Sequence, residues 1–568
     1  MAKRIDFKLD GNDCIELGRS AMSRGEAEKA AAYFKTACGI SDTAEAYTEL
    51  GIAYAKIKML GISDAVLYIA MSKAESEDDE VEALWQLCSN ALERGDPEVA
   101  AYYLRYLGED DSALLSMADE GKEPRFRIAP KPDNAFYEAR LLSANEALAY
   151  ENYDDALEQL RGFEDAPEPY RTAAEKIRTV CFFAKGDTDR VVAISEDMLK
   201  REDTLDNKAT LATAYCIQER NNDAQALLDD ILAEPVIPVE VALKLIPIAV
   251  TFNRDADVLR LAEIAGEKWS PVKPFCDMHR SQALYNLGRR KEAERVLNKI
   301  NSVCWRYYPA TYYLKLYQTN PDRVEYSNML PPAGALSYFN SVKTVLTGDD
   351  VGKIRDALAY DADFNDALRW ALDFANHGIN LGTVICLKKV RCKQVEKLFR
   401  DKLITPDLGF DVMSEIIDYL LGGGLTARFD IVTQDRFKPV DFVLPRRFHI
   451  LPERLKSAVY RTACDIVFTD EDPTTYLERL ASIINEMTAS DASGKLVWKC
   501  RNGKRIGSLR NEETMIGVLL SKVYFDDPDP DEDAMERYDL SPRTFAKYKR
   551  IFFGDDDDSP EDGDSHED

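Results

Sequence analysis

The chain has 568 residues, with 101 Asp and Glu against 73 Lys and Arg, a net charge of −28 and an apolar share of 45%. That apolar share excludes wholesale disorder, and the acidic balance argues against nonspecific binding of nucleic acid or anionic membrane by the whole molecule and favours basic partners. The charged start MAKRIDFKLDGND and the lack of any apolar run near eighteen residues predict neither export nor a membrane span, and so a cytoplasmic protein. The length predicts two to four domains. Eleven cysteines stand singly in apolar helical patterns without a CxxC pair, which reads as reduced, buried thiols.

The first pattern, ELGRSAMSRGEAEKAAAYFKTA over residues 16–37, places Leu17, Gly18 and Ala21 on one helical face, breaks at Arg24 and Gly25, and resumes at Ala30, Phe34 and Ala37. It predicts a helix, a glycine turn and a second helix. The same grammar recurs with Gly95 five residues before Ala100, Gly186 five before Val191 and Gly288 five before Ala293. Elsewhere the turn is written with polar residues, as in ERNNDAQALLDDI and FNRDADVLRLAEIA. The small residues that mark the second helices are Ala30, Ala65, Ala100, Ala156, Val191, Ala224, Val258 and Ala293. Their spacing is about 34 residues, with a single longer interval, and a period in that range means a helical solenoid. The longer interval holds the acid- and proline-rich stretch of residues 108–133, read as a linker or insertion.

With Leu17-Gly18, Ala30, Phe34 and Ala37 in the first hairpin and Leu50-Gly51 and Tyr54 in the next, the pattern resembles the tetratricopeptide repeat; later units keep the period but carry Leu87-Cys88, Leu211-Ala212 and Arg280-Ser281 in place of the Leu-Gly pair. The resemblance spans roughly residues 10–320 and implies a right-handed superhelix whose concave face holds an extended or helical peptide, without catalysis. Carrying the family's inward-facing pattern onto the first three units points to Ile15, Arg19 and Met22, then Thr48 and Ile52, then Trp85, Ser89 and Leu92. This set is largely apolar and lacks the Lys and Asn set that clamps a terminal carboxylate in some family members, so an internal or helical segment is the expected ligand.

After the prolines Pro331 and Pro332 the repeat register fades while helical patterns continue to about Leu421. RFDIVTQDRFKPVDFVL then alternates as a short strand pair would, and KLVWKCRNGKRIGSL sets Asn502-Gly503 between two arms as a second candidate hairpin, decorated by Lys499, Arg501, Lys504, Arg505 and Arg510. In AMERYDLSPRTFAKYKRIFF, Ser541 and Pro542 start a helix. The spacing of Leu540, Ser541, Thr544, Phe545 and Tyr548 looks like a DNA-binding helix-turn-helix, in which Arg543, Thr544, Lys547, Lys549 and Arg550 would face the duplex. The departures are Asp539 where the family usually has Gly, Met535 where it has a small residue, and acid clusters on both sides. The last fifteen residues, from Gly554, hold nine acids and no cation, as a solvated, disordered tail does.

The fold expected is thus all-α, a right-handed superhelical solenoid of helical hairpins followed by a mainly helical C-terminal region with one or two short β-hairpins. Its parts are a hairpin array over 1–107, a linker over 108–133, a second degenerate array over 134–320, a helical region with a short hairpin over 333–460, a C-terminal helical domain with a β-hairpin and the helix-turn-helix-like segment over 461–553, and the tail over 554–568. No P-loop, HExxH or GxSxG string occurs. GGGLTA at 422–427 follows a helix rather than a strand, so it reads as a loop. His279, His377, His449 and His566 lack metal-ligand spacing, and no cofactor or metal is called for. The sequence therefore reads as a non-catalytic interaction scaffold for a protein or peptide partner. The alternative is a transcription-related regulator that uses the C-terminal helix pair on DNA.

Overall fold

The structure, a computed structural model, describes residues 10–109, 112, 134–149, 152–267, 271–348, 350–490, 496–498 and 511–553. They fall into two compact units, one drawn from the described residues within 1–41, 52–62 and 116–332, the other from those within 42–51, 63–115 and 333–568. The expected turn at Asn502-Gly503 with its five cations, most of the 108–133 linker and the 554–568 tail lie outside the described residues.

The helices pair as tetratricopeptide-like hairpins. Gly11–Ser23 packs on Ala27–Ser41, Glu77–Arg94 on Pro97–Tyr106, Leu205–Ile217 on Asn221–Leu232, Val239–Thr251 on Asp255–Ala265, and Lys273–Asn286 on Arg290–Val303. Four of these pairs, and Asn134–Ala149 with Tyr153–Gln159, share one spacing; in the Val239–Thr251 pair larger residues, Ile246 and Val258, stand there instead. The small residue of the second helix stands twelve after a partner on the first: Gly18 and Ala30, Cys88 and Ala100, Ala144 and Ala156, Ala212 and Ala224, Ser281 and Ala293. All of these are buried, as close helix approach requires. A Cβ on Gly18 would lie 2.3 Å from Phe34 Cε1, and one on Gly51 would lie 2.6 Å from Leu67.

The turns share one geometry. Gly25, Gly95, Gly186 and Gly288 have φ between 74° and 81°. At Gly95 the N–H donates to the Leu92 carbonyl and the next N–H, from Asp96, to the Ala91 carbonyl, the paired bonds of a Schellman end. Lys58, Glu219 and Asn253 hold the same left-handed position without glycine. Lys58 corrects one expected mark: five residues later stands Ser63, not Ala65, and Ser63 is fully buried with its hydroxyl donating to the Gly51 carbonyl at 2.8 Å.

In the first unit the Ala27–Ser41 helix packs on the Arg290–Val303 helix. Lys35 Nζ donates to the carbonyls of Asn301 and Cys304, at 2.5 and 2.6 Å, and the Tyr54 hydroxyl to that of Val303. A cation on the last carbonyls of a helix opposes the negative end of its dipole.

In the second unit the expected strand pair is present: Thr426–Thr433 runs antiparallel to Arg436–Val443. Its two-residue turn, Gln434-Asp435, has φ of 52° and 57°, the geometry of a type I′ turn. Phe429, Ile431, Val440 and Phe442 of this hairpin are buried. Gly422 and Gly423, both left-handed, close the Phe410–Leu421 helix ahead of the first strand, so the glycines of GGGLTA end a helix and its Thr426 and Ala427 begin the strand. The expected arm around Val497 is a strand, Leu496–Trp498, but it pairs with the preceding Thr488–Ser490.

Candidate functional site

The carried-over groove positions separate by burial. Each first helix offers one three residues before its small residue: Ile15 before Gly18, Thr48 before Gly51 and Trp85 before Cys88. Ile15 and Thr48 are each only 3% exposed, so neither presents a ligand surface and both leave the expected set. Trp85 is 46% exposed. Met22 and Ile52 are half-buried, and Arg19 and Ser89 are exposed. Three of the expected residues, Trp85, Ser89 and Leu92, come together on one face of the Glu77–Arg94 helix, and Val81, four before Trp85, extends the stripe. Exposed Asp79, Glu82 and Glu93 stand on the same helix. Its one cation, Arg94, is engaged by buried Asp64, whose second oxygen accepts from Asn90. Burial pushes the Asp64 carboxyl upward against the opposing pull of Asn90 and Arg94.

A second surface was not singled out in the sequence. Counted from Thr179, which stands twelve before Val191, the same groove positions in this hairpin are Lys176, Val180 and Phe183. Val180 is 48% and Phe183 51% exposed. With Thr213, Ala214 and Ile217 of the neighbouring first helix they line a groove of about 410 Å³. At its rim Asp206 accepts from Lys176 at 2.7 Å and from Lys244 at 2.5 Å. Burial raises the Asp206 carboxyl, and the two ammonium groups outweigh it and hold the group below its usual range.

The C-terminal helix Pro542–Phe553 buries Phe545, Tyr548 and Phe552. Arg543, Lys547 and Arg550 are exposed and Thr544 half-buried, while Lys549 Nζ pairs with Asp531 at 2.6 Å. Asp539 takes the left-handed turn with φ of 48°. A Cβ on Gly517 would lie 2.5 Å from Leu540 Cδ1, so this turn sits tightly on the Glu512–Val523 helix.

No family model matches the sequence, and no curated protein matches it. Among solved structures the chain is similar to a tetratricopeptide repeat protein from Parabacteroides merdae ATCC 43184, at 14% identity over 54% of this chain and 98% of that one, with a TM-score of 0.23. It is similar to the APC/C hetero-tetramer Cut9-Hcn1 at 11% identity, over 73% of this chain and 91% of that one, with a TM-score of 0.24. It is also similar to Naa15/Naa10 bound to HypK-THB at 13% identity, over 95% and 94%, with a TM-score of 0.22. At these TM-scores the superpositions carry no argument. The repeat assignment stands on the hairpin geometry.

Among the described residues no group of three or more His, Cys, Asp or Glu could hold a metal ion, and no helix is long and apolar enough to cross a membrane. His279 is buried between the rings of Phe275 and Tyr326, its Nδ1 3.0 Å from the Phe275 carbonyl, and burial lowers its pKa. That is the environment of a packed core histidine.

Proposed function

We propose that the chain is a protein-interaction scaffold that holds a partner segment on the first-helix face carrying Trp85, Ser89 and Leu92. The observation that carries this reading is the exposure of Trp85 at a position whose equivalents, Ile15 and Thr48, are buried. A large aromatic left half in water, with Val81 and Leu92 exposed beside it, supplies the anchor that interfaces are built around. The stripe runs from Val81 to Leu92, about 16 Å at 1.5 Å per residue, which suits three turns of an amphipathic helix. The acids Asp79, Glu82 and Glu93 favour basic residues at the edges of that helix.

The test is affinity capture with the full chain and with Trp85→Ala, followed by identification of the differentially retained protein and measurement of its affinity for both forms. Loss of a hot-spot tryptophan should weaken the complex by about 2 kcal/mol, roughly thirty-fold. A partner that binds both forms equally removes the proposal.

A further inference from the structure

The groove of the first unit has a chemistry opposite to that of the Trp85 stripe. Lys176, Val180 and Phe183 follow one another at i, i+4 and i+7 on the Tyr170–Ala184 helix. Facing them, Thr210, Ala214 and Ile217 repeat that spacing on Leu205–Ile217. Lys244, from the Val239–Thr251 helix, joins Lys176 at one end. The groove therefore has a polar end and an apolar end, seven residues of helix or about 10 Å apart. Among the described residues its charged lining groups are these two lysines, in a chain whose net charge is −28.

The lysines are not used up by Asp206. Lys176 gives one N–H to Asp206 and keeps two, and Lys244 gives one to Asp206 and one to Thr210 Oγ1 at 3.1 Å and keeps one. One aspartate between two ammonium groups leaves a local charge of one positive unit, with donors free to take a carboxylate. The apolar end, with Val180 and Phe183 about half exposed, offers a place for one bulky apolar side chain.

We infer that this groove is a second binding site, for a partner peptide that presents a carboxylate and a bulky apolar side chain about 10 Å apart. That distance is about three residues in an extended segment, or seven in a helix. The Asp or Glu side chain sits at Lys176 and Lys244, and the apolar side chain lies over Val180, Phe183 and Ile217. The site is separate from the Trp85 stripe, on the other compact unit, and its ligand carries the opposite charge.

The test is selection of a random sixteen-residue display library on the full chain, followed by synthesis of the consensus peptide and measurement of its affinity by fluorescence anisotropy. The expected consensus pairs Asp or Glu with Leu, Ile, Phe, Met or Trp at one of the two spacings. Its affinity should fall at least ten-fold on Phe183→Ser and on the Lys176→Gln/Lys244→Gln pair, and change less than about two-fold on Trp85→Ala. Phe183 and Trp85 are about half exposed, so Phe183→Ser and Trp85→Ala should melt as the parent does; the lysine pair also takes both partners from Asp206 and should melt somewhat lower, so a melting curve for each variant fixes a temperature at which all are folded and affinity is compared. Failure of the Trp85 proposal would leave this result untouched. A basic consensus, no consensus, or a consensus peptide indifferent to Phe183→Ser and to the lysine pair overturns the inference. So does a dimer that Phe183→Ser dissociates, since the groove would then belong to a second copy of the chain.

Discussion

The buried hydroxyl of Tyr102 donates to the main-chain carbonyl of Phe437 at 2.7 Å, joining two residues 335 positions apart in the chain. Tyr103 and Tyr68 donate to the Asp435 carbonyl at 2.7 and 3.1 Å, and the Tyr68 ring stacks on Phe437. The tip of the 426–443 hairpin is thus held by three hydroxyls from two second helices. Tyr102→Phe keeps the ring and leaves a buried carbonyl unsatisfied, which should cost about 1–2 kcal/mol. Denaturant unfolding should show that loss, and hydrogen exchange should place it in the hairpin amides, with residues 205–303 unchanged.

Two glycines should respond differently to a side chain. Gly18→Ala puts a methyl against the Phe34 ring, where something must move, and should cost about 1–3 kcal/mol. Pairing it with Phe34→Leu should recover part of that loss. Gly95 has open space around its Cβ position but a φ of 81°, so Gly95→Val should cost about 1–2 kcal/mol through the backbone alone, and no partner substitution should rescue it. Hydrogen exchange should confine the Gly95→Val effect to the Glu77–Tyr106 hairpin.

The repeat was legible because hairpin closure leaves a periodic trace: a small residue on each helix, and a left-handed turn that glycine fills four times. Ala65 misled because alanine is the usual small residue, whereas the turn at Lys58 fixes the register and makes Ser63 the contact. Ile15 and Thr48 misled for another reason. The repeat pattern says which residue stands at a groove position and not how much of it is covered, and Ile15 and Thr48 are buried where Trp85 is not. The Lys176, Val180 and Phe183 set was within reach, since Thr179 stands twelve before Val191, but three degenerate positions carry no signal without that register. Contacts such as Lys35 to Asn301 and Tyr102 to Phe437 join distant segments and leave no periodicity.

Lys438 predicts a pH dependence. Its side chain is 1% exposed, and Nζ donates to the carbonyls of Asp470, at 2.5 Å, and Val467. Burial, with a smaller push from Arg436 and opposed by Asp470 and Glu471, lowers its pKa to about 8. An unfolded lysine titrates near 10.4. Between pH ~8 and ~10.4 the unfolded state therefore binds the extra proton, and this group makes stability rise with pH. The cost of the buried charge is in full force below pH 8. The buried thiols of Cys276 and Cys464, raised by burial to about 11 and about 12, work the other way above pH ~8.5. The difference between parent and Lys438→Met isolates the lysine: urea unfolding at pH 7, 8, 9 and 10 should show a rising contribution in the parent that the variant lacks. Parallel curves would contradict a depressed Lys438.

The final prediction separates packing from DNA binding in the C-terminal helix. Phe545 and Phe552 are 2% and 1% exposed, and the Tyr548 hydroxyl accepts from the Asn511 N–H at 3.1 Å, so one helix face is committed to the Glu512–Val523 helix. Phe545→Ala should cost about 3–5 kcal/mol and loosen residues 511–553 in hydrogen exchange. Arg543→Glu and Lys547→Glu lie on the exposed face and should change stability by no more than about 0.5 kcal/mol. If that face served DNA, a chain ending before Gly554 would bind duplex in low salt, with a log-log salt slope of about −0.9 for each phosphate neutralised, and the two glutamates would flatten it. With Asp531 on Lys549, and Glu532 and Asp533 exposed beside it, the expected result is no duplex binding by either length of chain. A tight, salt-steep complex lost in Arg543→Glu would reverse that assignment and give the helix a nucleic-acid role.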